Sequence, residues 1–135
     1  MQNKKVLIVD DEMDMRIFLS TLLETSGYKT IIATNGEEGM QKARKHKPAV
    51  IILDVLMPKS GGIQMYREVK TDENLKATPV IMISAIAKKT FFHSMKMLNS
   101  YRGETVPEPE GYIEKPPESD ELLEILARIF HESPQ

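Results

Sequence analysis

Hydrophobic positions in this chain come in short unbroken runs, at Val6 to Val9, Thr30 to Ala33, Val50 to Leu53 and Val80 to Ile83, with a weaker one at Tyr112 to Ile113. A strand with one wet face alternates apolar and polar residues, whereas a strand covered on both faces is apolar throughout. These runs therefore predict a parallel sheet buried on both sides. The segments between them follow helical spacing instead, most clearly Ile17, Phe18, Leu22 and Leu23 in the first and Leu122, Leu123, Leu126, Ile129 and Phe130 in the last. Helix and strand breakers fall at the junctions. Ser26-Gly27 closes the first helix, Asn35-Gly36 precedes the second, Pro48 and Pro79 each stand before a strand, Ser119 or Asp120 can cap the last helix, and Pro134 stops it near Glu132. Five strand–helix units in alternation predict an α/β fold, a doubly wound five-stranded parallel sheet with right-handed crossovers.

Two of the runs end on acids. Val6 to Val9 leads into Asp10-Asp11-Glu12, and Val50 to Leu53 leads into Asp54. In open sheets of this kind ligands bind beyond the carboxyl ends of the strands, where strand order reverses. One aspartate there is most simply a helix cap or a solvated loop residue. Three on neighbouring strand ends repel, at about 4 kcal/mol for two unit charges roughly 4 Å apart in an effective dielectric near 20, so a cation belongs between them. A hard divalent metal with oxygen ligands is the expected occupant.

Composition narrows the setting. The 135 residues, 41% of them hydrophobic, suffice for one buried core and are too few for two ordinary domains. Against 20 acidic residues stand 18 basic ones, which gives no electrostatic case for nucleic acid or an anionic membrane surface. With no cysteine there is no disulfide framework. The apolar run after Met1 to Lys5 is far shorter than a signal-peptide core or a membrane span, so a cytoplasmic location is expected. His46, His93 and His131 show no metal-ligand spacing, and the chain has neither a Gly-rich phosphate loop nor a Ser/His/Asp arrangement.

Four motifs, each on a predicted strand end, occur in this order: Asp10-Asp11, Asp54-Val55-Leu56-Met57-Pro58, Ser84-Ala85 and Lys115-Pro116. The ordered set resembles the receiver domain of two-component response regulators over almost the whole chain. The resemblance implies a flavodoxin-like (βα)5 domain with strand order 2-1-3-4-5 and a core over about 4–132. Asp54 would be the phosphoacceptor. Asp11 and Asp54 would bind Mg²⁺ (or Mn²⁺) directly with the backbone carbonyl of Leu56, and Asp10 would act mostly through a bound water. Ser84 and Lys115 would sense the phosphoryl group, Pro116 would follow a cis peptide that turns Lys115 into the site, and Tyr112 would be the switch aromatic, moving inward as Ser84 shifts. The bland reading of Tyr112 is a packed ring with its hydroxyl in water. Glu12, at the opening of the first helix, fits the positive end of the helix dipole.

The chain also departs from the pattern. Ser84 and Lys115 are unusually far apart, and the surplus is an acidic, proline-containing loop at about 100–110, read either as a tolerated surface insertion or as a partner-selecting lip or restraint on the switch. Helix four carries Phe91, Phe92, Met95, Met97 and Leu98, more than one buried face needs, so some are expected to be exposed or covered by that loop. Leu56 and Ile86 are apolar where fast-cycling members of the family carry polar groups, which implies slow hydrolysis of the aspartyl phosphate.

The expectation is thus a stand-alone switch rather than an enzyme, catalysing only its own phosphoryl transfer and slow self-dephosphorylation. Its partners would be a sensor histidine kinase or phosphotransfer protein and an unknown downstream protein target met in trans through helix four, strand five and helix five. It would be a monomer or weak homodimer. One rival is a phosphorylation-independent binding module of the same fold. Another is a small Mg²⁺-dependent aspartyl-phosphate phosphatase, against which stands Asp54-Val55-Leu56, lacking the second acid of the Asp-x-Asp pattern.

Overall fold

The computed structural model describes residues 4–57, 61–102 and 106–130. Expectations placed on Pro58, on residues 103–105, on His131, Glu132 and Pro134, and on the side chain of Leu98 lie outside the described residues. Strands and helices alternate: β1 (Lys5–Val9), α1 (Met13–Thr25), β2 (Lys29–Ala33), α2 (Gly36–His46), β3 (Val50–Asp54), α3 (Gly62–Thr71), β4 (Val80–Ser84), α4 (Lys88–Arg102), β5 (Gly111–Glu114) and α5 (Ser119–Ile129). All strands are parallel in the order β2-β1-β3-β4-β5. Register levels their carboxyl ends, with Val9 beside Leu53, Asp54 beside Ile83 and Ser84 beside Glu114.

The unbroken apolar runs fill two cores at once. Successive residues of a strand point to opposite faces, so Leu7, Val9, Ile51, Leu53 and Met82 meet α2, α3 and α4, while Val6, Ile8, Val50, Ile52, Ile81 and Ile83 meet α1 and α5. β2 is the exception, since Thr30, Ile31 and Ile32 are only half-buried on an edge strand with one neighbour. The first helix corrects the periodicity as well. Leu19 and Leu23, four apart, face the sheet, whereas Ile17 and Phe18 point outward and are exposed. Asn35 caps α2 by accepting the amide of Glu38, but the last helix starts on Glu118 without a side-chain cap, leaving Ser119 inside the first turn.

α4 runs on through Arg102, so the segment expected to be loop from residue 100 begins later. From Val106 to Glu110 the chain is a docked strap. Val106 is buried against α4, and Asn99 holds its backbone from both sides, Nδ2 donating to its carbonyl at 3.1 Å and Oδ1 accepting its amide at 3.2 Å. The fully buried Tyr66 of α3 donates its hydroxyl to the carbonyl of Pro107. Glu110 closes the strap on β4, its amide donating to the Val80 carbonyl at 2.9 Å and its carboxylate accepting the Val80 amide at 2.7 Å. The Lys70 ammonium lies 3.5 Å from that carboxylate and donates to the Thr78 carbonyl at 2.9 Å. Loop backbone docks stably only when its polar groups are satisfied, and here the side chains of Asn99 on α4 and Tyr66 on α3, with the backbone of Val80 on β4, satisfy them. Of the surplus apolar residues on α4, Phe91 and Met95 are buried, Phe92 is half-buried and Met97 is exposed.

Asn99→Ala would strand the amide and carbonyl of Val106, so it is expected to lower the unfolding free energy by about 1–3 kcal/mol. Chemical denaturation checks this, and a change well below that range would mean the strap rests on the surface without holding it.

Candidate functional site

Chain direction brings the chemistry together, because four of the five strands end side by side and each delivers a polar residue at its carboxyl end. Asp10 follows β1, Asp54 closes β3, Ser84 closes β4 and Lys115 follows β5. Asp10, Asp54 and Ser84 are buried and Asp11 is exposed. Oxygens of Asp10, Asp11 and Asp54 all lie within 4.8 Å of one another. Three carboxylates offering only hard oxygen donors are the donor set a divalent cation such as Mg²⁺ or Mn²⁺ takes, so the residues present fit a metal.

Local backbone fixes each acid. The Glu12 amide donates to Asp10 Oδ1 at 2.9 Å, and Arg16 Nη1 donates to the Asp10 carbonyl at 2.8 Å. The Leu56 amide donates to Asp54 Oδ1 at 3.1 Å, which leaves Oδ2 facing Lys115 Nζ at 3.4 Å. Gly62, at the start of α3, passes so close to this turn that an added Cβ would lie 2.1 Å from the Asp54 carbonyl oxygen and 2.7 Å from Val55 Cα. Only glycine fits against that backbone. Sequence reading misses Gly62, because nothing in a lone glycine names what it touches.

Lys115 projects among three acids, with Nζ 2.9 Å from Glu12, 3.4 Å from Asp54 and 3.6 Å from Asp10. Its peptide bond to Pro116 is cis, and its amide donates to the Ser84 carbonyl at 2.8 Å. Burial alone would lower the ammonium's pKa, but the hydrogen bond it donates to Glu12 and the charges of Asp10, Asp54 and Glu12 outweigh it and hold the group above its ordinary value. Beside its place at the opening of α1, Glu12 has a second role. Although it is the N-cap residue of α1, its side chain caps nothing and reaches Lys115 instead, which lowers its pKa.

The sensing residues form one connected group. Ser84 Oγ accepts the Ile86 amide at 3.0 Å, and Tyr112 Oη donates to the Ile86 carbonyl at 2.7 Å. Burial raises the pKa of Tyr112 while a hydrogen bond with the Ser84 side chain opposes that. The Tyr112 ring is buried and stacks on Phe91 with centroids 4.8 Å apart. The tyrosine thus already lies inward with its hydroxyl bound, in place of a hydroxyl left in water. Ile86 is half-buried against the core, and the Leu56 side chain is exposed. Glu114, absent from the sequence reading, accepts the amide of Lys88 at 2.9 Å and so fastens β5 to the first turn of α4.

Burial pushes the Asp54 carboxyl up to about 6 from 3.8, and the negative charge of Asp10 adds to it against the Leu56 amide and Lys115. Asp10 is raised as well, first by burial. The folded chain therefore binds a proton at Asp54 more tightly than the unfolded chain does. Stability from this group falls as pH rises from 3.8 to about 6, and the penalty stands in full above that. Asp54→Asn is accordingly expected to stabilise metal-free protein by roughly 1–3 kcal/mol near pH 7.5 and by much less near pH 4. Melts in a chelator at both pH values check it, and an equal gain at both would remove charge as the cause.

Comparison with known proteins agrees with this geometry. The response regulator receiver domain family matches residues 6–127. The polar-differentiation response regulator DivK of Brucella anthropi is 40% identical over 87 residues, covering 64% of this chain and 70% of DivK. The alkaline phosphatase synthesis transcriptional regulatory protein PhoP of Bacillus subtilis is 41% identical over 83 residues, which is 62% of this chain but only 34% of PhoP. The solved structure of the chemotaxis response regulator CheY4 of Vibrio cholerae is similar with a TM-score of 0.79 at 30% identity, over 94% of this chain and 98% of that one.

Proposed function

The chain belongs to the response regulator receiver domain family, and from that premise we propose that it is a signalling switch whose phosphoacceptor is Asp54. The observation that carries this reading is a buried carboxylate flanked by two further acids, with an ammonium 3.4 Å away and a buried serine on the neighbouring strand end. An Asp54 oxygen attacks the phosphorus of a phosphohistidine or acyl phosphate, the bond to the donor nitrogen or oxygen breaks, and the donor leaves with its electron pair. Asp10, Asp11 and Asp54, with the Leu56 carbonyl, would hold Mg²⁺ or Mn²⁺, which when bound neutralises charge on both the carboxylate and the incoming phosphoryl group.

Lys115 and Ser84 then report the product. The ammonium exchanges a carboxylate for a phosphoryl oxygen, and the Ser84 hydroxyl turns from Tyr112 to donate to another, each a charge-assisted bond of about 1.5–3 kcal/mol. Moving a two-state element from 1:99 to 99:1 takes about 5.5 kcal/mol, the order that two or three such bonds supply. The change spreads from Ser84 to Tyr112, Phe91 and Glu114, hence over α4, β5 and α5 and the strap stitched to α4. A histidine kinase or phosphotransfer protein is the donor class, and a protein target in trans is the output. Met13 and Ile17, exposed four residues apart on α1, and exposed Leu56 offer an apolar rim suited to a protein donor. No separate substrate is turned over. No helix among the described residues is long and apolar enough to cross a membrane.

Incubation with a small acyl phosphate is expected to add one phosphoryl group by intact mass, only with Mg²⁺ and never in Asp54→Ala; no gain in the wild type would sink the reading. Leu56 and Ile86 offer no polar group to place an attacking water, so the phosphoprotein should be long-lived. Leu56→Asn combined with Ile86→Glu is expected to shorten that lifetime several-fold, and decay at the wild-type rate would show that these side chains only pack.

A further inference from the structure

Neither phosphoryl transfer nor its sensing uses Glu12. It occupies the N-cap position of α1 yet makes no side-chain bond to that helix. Its amide holds Asp10 Oδ1 at 2.9 Å, and its carboxylate takes Lys115 Nζ at 2.9 Å, shorter than the 3.4 and 3.6 Å from that ammonium to Asp54 and Asp10. One residue thus grips the acidic half and the basic half of the site, one through its backbone and the other through its side chain. The geometry points to Glu12 as a positioning residue that draws the Lys115 ammonium toward the rim and keeps the oxygens of Asp54 and Asp10 open to the metal.

Lys115 has three hydrogens and no other anchor among the described residues, so its place is a contest among carboxylates. Without the Glu12 carboxylate, the ammonium settles on Asp54 and Asp10, and a cation entering there must displace it. The direct pull of the Glu12 charge on that cation is weak, because the side chain is exposed and solvent screens it. Glu12 therefore acts on the metal chiefly through Lys115. This inference rests on the reading of the acids as a metal site but needs no phosphoryl chemistry.

A double-mutant cycle separates the two routes. Mn²⁺ binding to unphosphorylated wild type, Glu12→Gln, Lys115→Met and the double variant is measured by electron paramagnetic resonance of the free ion, with thermal melts showing that each protein is folded. Glu12→Gln is expected to weaken Mn²⁺ binding about two- to fivefold in the wild-type background, the worth of an exposed ion pair. In the Lys115→Met background it is expected to change little. Equal losses in both backgrounds would mean that Glu12 acts on the ion by its own charge and would overturn the inference, as would no loss in the wild type. Absence of Mn²⁺ binding from all four would overturn the metal reading and the inference with it.

Discussion

Mutual repulsion between Asp10 and Asp54, held out of water at the ends of adjacent strands, is the constraint on which the rest of the site depends. Parallel strands in register deliver both acids to one place, and the apolar runs behind them allow no retreat. Everything near them answers that repulsion in part. Backbone amides of Glu12 and Leu56 each take one carboxylate oxygen, and Lys115 serves both acids at once. The answer is incomplete, and burial first, with the charge of Asp10 behind it, keeps the pKa of Asp54 raised. A residual excess of negative charge is what gives such a site affinity for a dication, and a carboxylate left poorly solvated is a better nucleophile than one at ease in water.

Much of this is legible in the residues because it depends on local pattern and chain direction. Unbroken apolar runs announce strands covered on both faces, and parallel connection sends every strand end to the same side, so Asp10, Asp11, Asp54, Ser84 and Lys115 converge without any knowledge of side-chain packing. Errors fall where the pattern is silent. β2 reads like the other apolar runs, yet Thr30, Ile31 and Ile32 are only half-buried. Ile17 and Phe18 satisfy helical spacing, yet the buried stripe of α1 runs through Leu19 and Leu23, a rotation that hydrophobicity alone does not choose between.

The remaining contacts depend on close approach that local pattern does not encode. Gly62 matters because the backbone at the end of β3 lies against it, and Glu12 because a lysine 103 residues away points at it. Composition alone marks the segment after α4 as a loop, through its prolines and glutamates. Whether a loop is loose or docked depends on its partners, and those are Tyr66, Asn99 and Val80, each on a different element.

β5 is anchored at both ends. At its start Glu110 is clamped to Val80 by two hydrogen bonds, and just past its end the Lys115 amide is bound to the Ser84 carbonyl. Four strand residues lie between these fixings, too few to take up slack as a strand. Axial sliding of β5 against β4 is therefore blocked, and the freedom left to it is rotation of the side chains it carries. Tyr112, Glu114 and Lys115 are three such rotors on one rigid axle, facing the core, the first turn of α4 and the acids respectively.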